Sequence, residues 1–274
     1  MDARITIPAL QQMKRDGRKI VGVVTYDYQM AQIVDRAGVD VVSVGDSVGI
    51  NLWGHRSELE VTVDEMILAC RAVRRGVTRA LVSCDFPFGP LQAGTAAAVR
   101  TAIRLVKEGG ADLVKLDGAA AYPESVRAIT QAGIPVWAQF GITPHTALQY
   151  GGMAKVGPEL STEFKDRLLL EATQLEAAGA ALLDFTNSGP EAGAAVARAC
   201  SIPVIGGLGG GPWLDGRVRA AFAAVGYLAK AIDDTTTERY ANLASITLEA
   251  MQTFAGDVRA GRQIRGAGAR TITT

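Results

Sequence analysis

The stretch Val39-Asp40-Val41-Val42-Ser43-Val44-Gly45-Asp46 decides the fold of this chain. It is a β-branched apolar run that ends in an aspartate, and two later runs end in the same way. These are Ala80-Leu81-Val82-Ser83-Cys84-Asp85 and Leu113-Val114-Lys115-Leu116-Asp117. Carboxylates that follow several parallel strands build the active sites of barrels and doubly wound sheets.

The three aspartates, Asp46, Asp85 and Asp117, predict a metal site. Carboxylates that converge at one end of a sheet repel each other strongly unless a cation lies between them. Because hard oxygen ligands favour Mg²⁺ or a similar ion, we expect a divalent cation of that type at this place.

Helical and strand-like segments alternate along most of the chain, which is typical of repeated βα units around a parallel sheet. Several helical segments end in a glycine that precedes the next apolar run, at Gly38, Gly110, Gly133 and Gly179. The candidate strands lie near residues 20–25, 39–45, 80–85, 113–117, 135–140, 181–186, 203–206 and 217–223. Eight strands predict a closed (β/α)₈ barrel, although the last of them is equally consistent with a helix.

Length and composition favour one domain over residues 1–274, because the chain of 274 residues has the size of a barrel and 48% hydrophobic residues to fill it. An extra N-terminal helix is expected within 1–17, started by Thr6 and Pro8. Helical sequence runs from Asp233 through Phe254, and we expect a flexible Gly- and Arg-rich tail over about residues 260–274.

Charge and cysteine usage narrow the partners and the compartment. The formal net charge is zero, which favours neither nucleic acid nor an anionic membrane as a partner. No apolar run approaches the roughly 18 residues of a membrane span, and the start lacks the form of a signal peptide. The three scattered cysteines predict a cytoplasmic protein without disulfides, and His55 and His145 are too far apart in sequence for a two-histidine metal motif.

Two motifs have both a functional and a purely structural interpretation. In Gly45-Asp46-Ser47-Val48-Gly49, small residues let backbone amides and the Ser47 hydroxyl approach an anion, but Asp46 can instead cap the next helix. Lys115 and Asp117 share one face of a strand. Lys115 can therefore hold a substrate carboxylate or an enolate oxygen, or it can form a buried ion pair that orders the barrel.

Read in order, these motifs resemble the ketopantoate hydroxymethyltransferase family. The resemblance rests on Thr25-Tyr26-Asp27-Tyr28, Val44-Gly45-Asp46-Ser47-Val48-Gly49, Gly54-His55, Asp85-Phe86-Pro87-Phe88, Val114-Lys115, Gly141-Ile142-Thr143-Pro144 and Ile202-Pro203-Val204-Ile205-Gly206, among other stretches along nearly the whole chain. It implies a (β/α)₈ barrel of the phosphoenolpyruvate mutase and isocitrate lyase type, bound Mg²⁺ and a ring-based homo-oligomer. The reaction that it implies transfers a one-carbon unit from methylenetetrahydrofolate to the enolate of a 2-oxo acid.

Carried over residue by residue, the resemblance gives Asp46 and Asp85 as metal-site residues and Ser47 and Lys115 as binders of the 2-oxo acid. Asp46 and Asp85 also lie beside the substrate on this interpretation. Asp117 stands where the family usually has Glu, and its shorter reach leaves room for a water.

Three departures from the family fall on proton-transfer positions. Thr186 stands at the place of the catalytic Glu, and a neutral hydroxyl cannot replace a carboxylate as general base near neutral pH. Gln139 stands at the place of a His after the fifth strand, where we expect it to contact substrate, and Phe222-Ala223 replaces a His-Asp pair on the eighth strand. Asp184 lies two residues before Thr186 and is the carboxylate nearest to the missing base. It can act as a substitute base through a water, or it can be a buried structural acid with no part in catalysis.

We therefore expect a metal-dependent enzyme that acts on the enolate of a 2-oxo acid by one-carbon or aldehyde transfer, with Lys115, Thr186 and Asp184 at its catalytic centre. One route round the missing base is a substrate that makes its enolate by decarboxylation or retro-aldol cleavage. The alternatives are an ordinary 3-methyl-2-oxobutanoate hydroxymethyltransferase with a substitute base, and a catalytically silent barrel that binds a 2-oxo acid or folate.

Overall fold

A computed structural model of the chain describes residues 3–152, 164–186, 190–207 and 211–266. Its eight strands are all parallel to their neighbours and close into a barrel in chain order, with the last strand paired to the first. The predicted (β/α)₈ barrel is therefore confirmed.

The strands lie where the apolar runs predict them, within a few residues at each end. They are β1 (Ile20–Val24), β2 (Val41–Val44), β3 (Leu81–Asp85), β4 (Leu113–Leu116), β5 (Val136–Gly141), β6 (Leu182–Thr186), β7 (Val204–Gly206) and β8 (Gly216–Ala220). The described α-helices are α1 (Ile7–Arg15), α2 (Tyr28–Arg36), α3 (Val63–Gly76), α4 (Thr95–Arg104), α5 (Pro123–Gln131), α6 (Lys165–Ala177), α7 (Pro190–Ala199), α8 (Ala221–Ala224) and α9 (Leu243–Arg259). Short 3₁₀ and π turns lie at 49–53, 58–60, 105–109, 119–121, 147–150 and 229–231.

Each strand turns alternate side chains into the barrel, because successive side chains of a strand point to opposite faces. The part of the interior nearer the amino ends of the strands, here called the lower interior, is apolar and buried. Its strand residues are Ile20, Val41, Leu81, Leu113, Trp137, Leu182 and Ile205. The residues two positions further along face the same interior but are polar on several strands, among them Ser43, Lys115, Gln139 and Asp184. The polar half of the interior thus lies toward the carboxyl ends of the strands.

Helix α1 closes the opposite end of the barrel, as predicted. Its N-cap is Thr6, whose hydroxyl accepts a hydrogen bond from the backbone amide of Ala9, and Pro8 lies in the first turn. Leu10 and Met13 are buried in the same cluster as the lower interior. Burying side chains of this size contributes about 1.5–3 kcal/mol each, so the helix is an integral part of the core.

The helix-ending glycines adopt the left-handed conformation that their position requires. Their φ angles are 82° at Gly38, 81° at Gly110, 83° at Gly133 and 99° at Gly179. Glycine reaches this region without steric cost, whereas a Cβ is disfavoured there. The four glycines that the sequence analysis placed after helices therefore do lie at helix C-termini.

The chain divides into two compact units, Met1–Ala220 and Ala221–Thr274. The first contains the barrel, and the second contains α8 and α9, which ends at Arg259 rather than near Phe254. The single domain over 1–274 stays a prediction, and so does the flexible tail, of which residues 267–274 lie outside the described residues. None of the described helices combines the length and the apolar character needed to cross a bilayer.

The predicted eighth strand is too long. β8 ends at Ala220, so Phe222 and Ala223 lie in the short helix α8 and not on a strand, which corrects the expectation for this pair. Alanine-rich sequence around Ala221 favours helix over strand once the barrel register ends.

Candidate active site

Polar side chains from five strands meet at the carboxyl end of the barrel. They lie within β2 to β6 or directly after them. The structure describes all of those named in the sequence predictions, namely Asp46, Ser47, Asp85, Lys115, Asp117, Gln139, Asp184 and Thr186. All except Ser47 and Lys115 are buried, and those two are partly exposed. The barrel thus places them at one end but divides them into separate clusters.

Lys115 is the centre of the first cluster. Its ammonium donates to Asp85 Oδ2 at 3.1 Å and lies 3.3 Å from Asp184 Oδ2, and it is 5.5 Å from the centre of the Trp137 ring. Ser43 donates to the other oxygen of Asp85 at 3.1 Å. The predicted ion pair of Lys115 therefore exists, but its partners come from β3 and β6.

Burial and charge act against each other in this cluster. Burial lowers the pKa of Lys115, but the charges of Asp85 and Asp184 raise it above its ordinary value overall. Burial raises the pKa of Asp85 to about 6 in spite of the neighbouring ammonium, and burial also raises the pKa of Asp184. The lysine is therefore a fixed cation at neutral pH.

Asp46, Asp117 and His145 form the second cluster. One potential ligand atom from each lies within 4.8 Å of the other two. His145 Nε2 is 2.8 Å from Asp46 Oδ2, and its Nδ1 is 3.9 Å from Asp117 Oδ2. Asp85 is not a member of this group within the described residues, because it is bonded to Lys115 and Ser43 instead.

One carboxylate oxygen in this cluster has no hydrogen-bond partner within the part of the chain that the structure describes. Asp117 is 7% exposed, and its Oδ1 has no hydrogen-bond partner among the residues that the structure describes. Its Oδ2 receives a long bond of 3.4 Å from the backbone amide of His145. A buried carboxylate oxygen left in this way is costly unless a ligand or an ion satisfies it. The donor set therefore fits a divalent cation.

His145 was not among the residues expected at the site. It lies in the loop after β5, and its contact with Asp46 joins residues 99 positions apart in the chain. Its place after a strand is the signal that marks the three aspartates as well. The other histidine, His55, instead pairs with Glu65, with 2.9 Å between His55 Nε2 and Glu65 Oε1.

Ser47 lies at the same end of the barrel, in the loop after β2. Its hydroxyl is 2.8 Å from the phenol oxygen of Tyr26. Gly45 has to be small here, since a Cβ on it would come within 3.0 Å of the Ser47 hydroxyl oxygen. The Gly-Asp-Ser turn therefore brings a hydroxyl group and the Asp46 carboxylate to one edge of the site.

Gln139 and Thr186 form a neutral pair on β5 and β6. The amide nitrogen of Gln139 donates to the Thr186 hydroxyl at 3.0 Å, and both side chains are buried. Neither side chain gains or loses a charge near neutral pH. The pair can bind polar groups of a ligand, but it cannot act as a general base.

Comparisons with known proteins cover nearly the whole chain. A family model described as ketopantoate hydroxymethyltransferase matches residues 4–263. A 3-methyl-2-oxobutanoate hydroxymethyltransferase of Cyanothece sp. (strain PCC 7425 / ATCC 29141) is 41% identical over 267 residues, which are 96% of this chain and 99% of that protein. One of Moorella thermoacetica is 39% identical over 260 residues, which are 95% of each.

Solved structures of lower identity share the barrel. A crystal structure of 2,3-dimethylmalate lyase, a member of the PEP mutase/isocitrate lyase superfamily, has a TM-score of 0.61 and 15% identity and covers 94% of this chain and 99% of its own. Phosphonopyruvate hydrolase in complex with oxalate and Mg²⁺ has a TM-score of 0.59 and 13% identity, with 97% and 90% covered. The predicted barrel type is confirmed by this likeness.

Proposed function

The chain belongs to the ketopantoate hydroxymethyltransferase family, and from that premise we propose that it acts on the enolate of a 2-oxo acid with a divalent cation bound. The family membership confirms the resemblance seen in the motifs and the expectation of a hydroxymethyltransferase-like enzyme. The observation that carries the finer proposal is the neutral Gln139–Thr186 pair. It stands where the family has its proton-transfer groups, which favours a route to the enolate that removes no C3 proton.

Decarboxylation fits this requirement better than retro-aldol cleavage. Retro-aldol cleavage of a 4-hydroxy-2-oxo acid breaks the C3–C4 bond and releases C4 as an aldehyde, but it still requires a base to take the hydroxyl proton. In a 3-carboxy-2-oxo acid, the bond between C3 and the carboxylate breaks, its electron pair forms the C2–C3 double bond of the enolate, and carbon dioxide leaves. We therefore propose a 3-carboxy-2-oxo acid as the substrate class.

The residues of this chain divide the task between them. Lys115 is a permanent cation that can share the negative charge of the enolate. Ser47 can donate a hydrogen bond to one carboxylate of the substrate, and Gln139 and Thr186 can donate hydrogen bonds to the second carboxylate. A divalent cation such as Mg²⁺, held by Asp46 and Asp117 with Asp85 beside them, would polarise the 2-oxo group.

The enolate then needs an electrophile. We propose methylenetetrahydrofolate as this electrophile. The family chemistry implies that the enolate carbon forms a bond to its one-carbon unit, and that one water is consumed as tetrahydrofolate is released. Protonation of the enolate by water is the outcome when no donor is present. The ring-based homo-oligomer and the cytoplasmic location stay predictions.

The test is carbon dioxide release. The full-length protein is incubated with Mg²⁺ and a panel of branched 3-carboxy- and 4-hydroxy-2-oxo acids, and carbon dioxide release and aldehyde release are followed separately. We expect release of carbon dioxide from at least one 3-carboxy compound. Ser47→Ala should raise KM about tenfold by removing one hydrogen bond to a charged group. Tyr26→Phe is the matched control, because it removes the hydrogen-bond partner of Ser47 but leaves the Ser47 hydroxyl in place. Absence of carbon dioxide from every compound would overturn the proposal.

A second candidate, ordinary hydroxymethyl transfer to 3-methyl-2-oxobutanoate, is favoured by one observation. Asp184 Oδ1 is buried without a hydrogen-bond partner among the described residues, and burial raises the pKa of this carboxyl. That oxygen is the substitute base in this alternative. Deuterium uptake from solvent at C3 of 3-methyl-2-oxobutanoate supports it, and its absence at high enzyme concentration rules it out.

A further inference from the structure

We propose that His145 is a nitrogen ligand of the cation, together with Asp46 and Asp117, and that the site prefers Mn²⁺, Fe²⁺, Co²⁺ or Zn²⁺ to Mg²⁺. The inference rests on the proposed function for the presence of a cation and deepens it by naming the class of metal. It is carried by the geometry of three side chains and by one unsatisfied oxygen.

The three groups have the spacing of neighbouring ligands in one coordination sphere. With metal–ligand distances of about 2.1 Å, octahedral ligands lie about 3 Å apart when adjacent and about 4.2 Å apart when opposite. His145 Nε2 and Asp46 Oδ2 are 2.8 Å apart, and the whole set falls within 4.8 Å. Small side-chain rotations therefore suffice to bring all three atoms to one ion.

The ring of His145 is held in place from several sides. Its side chain is 4% exposed. It packs edge-on against Phe88, with ring centroids 5.6 Å apart and an interplanar angle of 89°. Its own backbone amide contacts Asp117. A ligand fixed in this way loses little freedom when it binds an ion, which favours binding.

The charges at this end of the barrel leave an excess of negative charge. Asp46 and Asp117 face His145, while Asp85 and Asp184 face Lys115. Lys115 therefore offsets only one of four carboxylates, and Asp117 Oδ1 has no partner among the described residues. A doubly charged ion beside Asp46 and Asp117 satisfies that oxygen and offsets the remaining repulsion.

Nitrogen ligation is what changes the preferred metal. Mg²⁺ takes oxygen ligands in a near-ideal octahedron, whereas imidazole suits Zn²⁺, Fe²⁺, Co²⁺ and related ions. With three oxygens from aspartates alone, Mg²⁺ is the natural occupant. Replacing one of them by His145 moves the site toward the transition metals, because affinity for a nitrogen-containing set rises along the first row.

The competing arrangement has no metal. A protonated His145 can bridge Asp46 and Asp117 as an internal cation, since both ring nitrogens face a carboxylate. In that arrangement the ring offers no lone pair to an ion. The two arrangements differ in whether an ion binds at all, and in whether a histidine nitrogen couples to it.

The experiment uses the full-length protein without a histidine tag. Mg²⁺, Mn²⁺ and Co²⁺ are titrated by calorimetry, and the Mn²⁺ complex is examined by pulsed electron paramagnetic resonance for coupling to imidazole nitrogen. The chain has two histidines. In His55→Gln, His145 is therefore the sole histidine, and any imidazole coupling in that variant belongs to it.

We expect Mn²⁺ and Co²⁺ to bind about tenfold or more tighter than Mg²⁺ in the parent and in His55→Gln. His145→Gln should lose about tenfold or more in Co²⁺ affinity, lose the nitrogen coupling and change Mg²⁺ affinity much less. Absence of nitrogen coupling in His55→Gln, or failure of every ion to bind, overturns the inference even if His145→Gln does not fold. Because these readouts need no turnover, a failed carbon dioxide assay leaves them standing, and the reverse also holds.

Discussion

Gln139 donates a hydrogen bond of 3.0 Å to the hydroxyl of Thr186 across two paired strands of the barrel. Gln139 is the register partner of Asp184, so Thr186 lies two residues further along β6 and is reached diagonally by the Gln139 amide. Both are buried, and neither titrates near neutral pH. The Lys115 cluster is therefore next to a pair of side chains that cannot accept a proton near neutral pH.

Restoring a carboxylate at this position should restore proton abstraction. We expect Thr186→Glu to raise deuterium exchange at C3 of 3-methyl-2-oxobutanoate about 100-fold over the parent, because a positioned general base contributes on that order. Thr186→Gln has the same length without the charge and should stay at the parent rate. Equal exchange in both variants would show that the carboxylate is not the missing element.

Removing the Lys115 ammonium should destabilise the barrel. Lys115→Met leaves Asp85 and Asp184 buried without their cation, and breaking a buried ion pair in this way costs about 3–5 kcal/mol. The free energy of unfolding is measured by urea denaturation. The double variant Lys115→Met, Asp184→Asn should recover part of the loss, and the exposed Lys107→Met should stay within about 0.5 kcal/mol of the parent.

An unchanged unfolding free energy in Lys115→Met would contradict this account of the cluster. It would mean that Asp85 and Asp184 are both neutral in the folded protein, in which case Lys115 has no charged partner to lose.

Asp35 should make stability depend on pH. Its carboxylate accepts hydrogen bonds from the amides of Thr78, Arg79 and Ala80 and from the Thr78 hydroxyl. Burial acts to raise the pKa of Asp35, but these bonds lower it overall. We expect Asp35→Asn to cost about 2 kcal/mol at pH 7.

The sign of the pH effect follows from the lowered pKa of Asp35. Its contribution to the free energy of unfolding is fully present above the ordinary aspartate pKa near 4 and is lost as the pH falls through the lower folded value. The difference between parent and Asp35→Asn should therefore shrink below about pH 4. A difference that stays constant down to pH 2 would refute this, and the exposed Asp233→Asn serves as control.

Gly141 should tolerate substitution less than Gly133 does. Both have positive φ, 93° and 83°. An added Cβ at Gly141 would collide with the carbonyl oxygen of Thr186, whereas nothing lies within 4 Å of one at Gly133. Gly133→Ala should cost about 1–2 kcal/mol for the left-handed backbone alone, and Gly141→Ala more. Equal unfolding free energies in the two variants would mean that the strand ends shift freely.

The sequence by itself determined the barrel, because most strands are apolar runs and several helices end at a glycine. It also determined which aspartates come to the carboxyl end, since their place depends only on where each strand stops. The end of β8 at Ala220 was less certain, as residues 217–223 suit a strand and a helix equally well.

Only the tertiary structure decided how those groups pair. Lys115 bonds Asp85 and Asp184 from other strands, and Asp46 meets His145, which is 99 residues away. No local pattern encodes such contacts, because they depend on which side chains barrel closure and loop geometry bring within hydrogen-bonding distance. Strand order and register convert a list of polar residues into an ammonium cluster and a separate carboxylate–imidazole cluster.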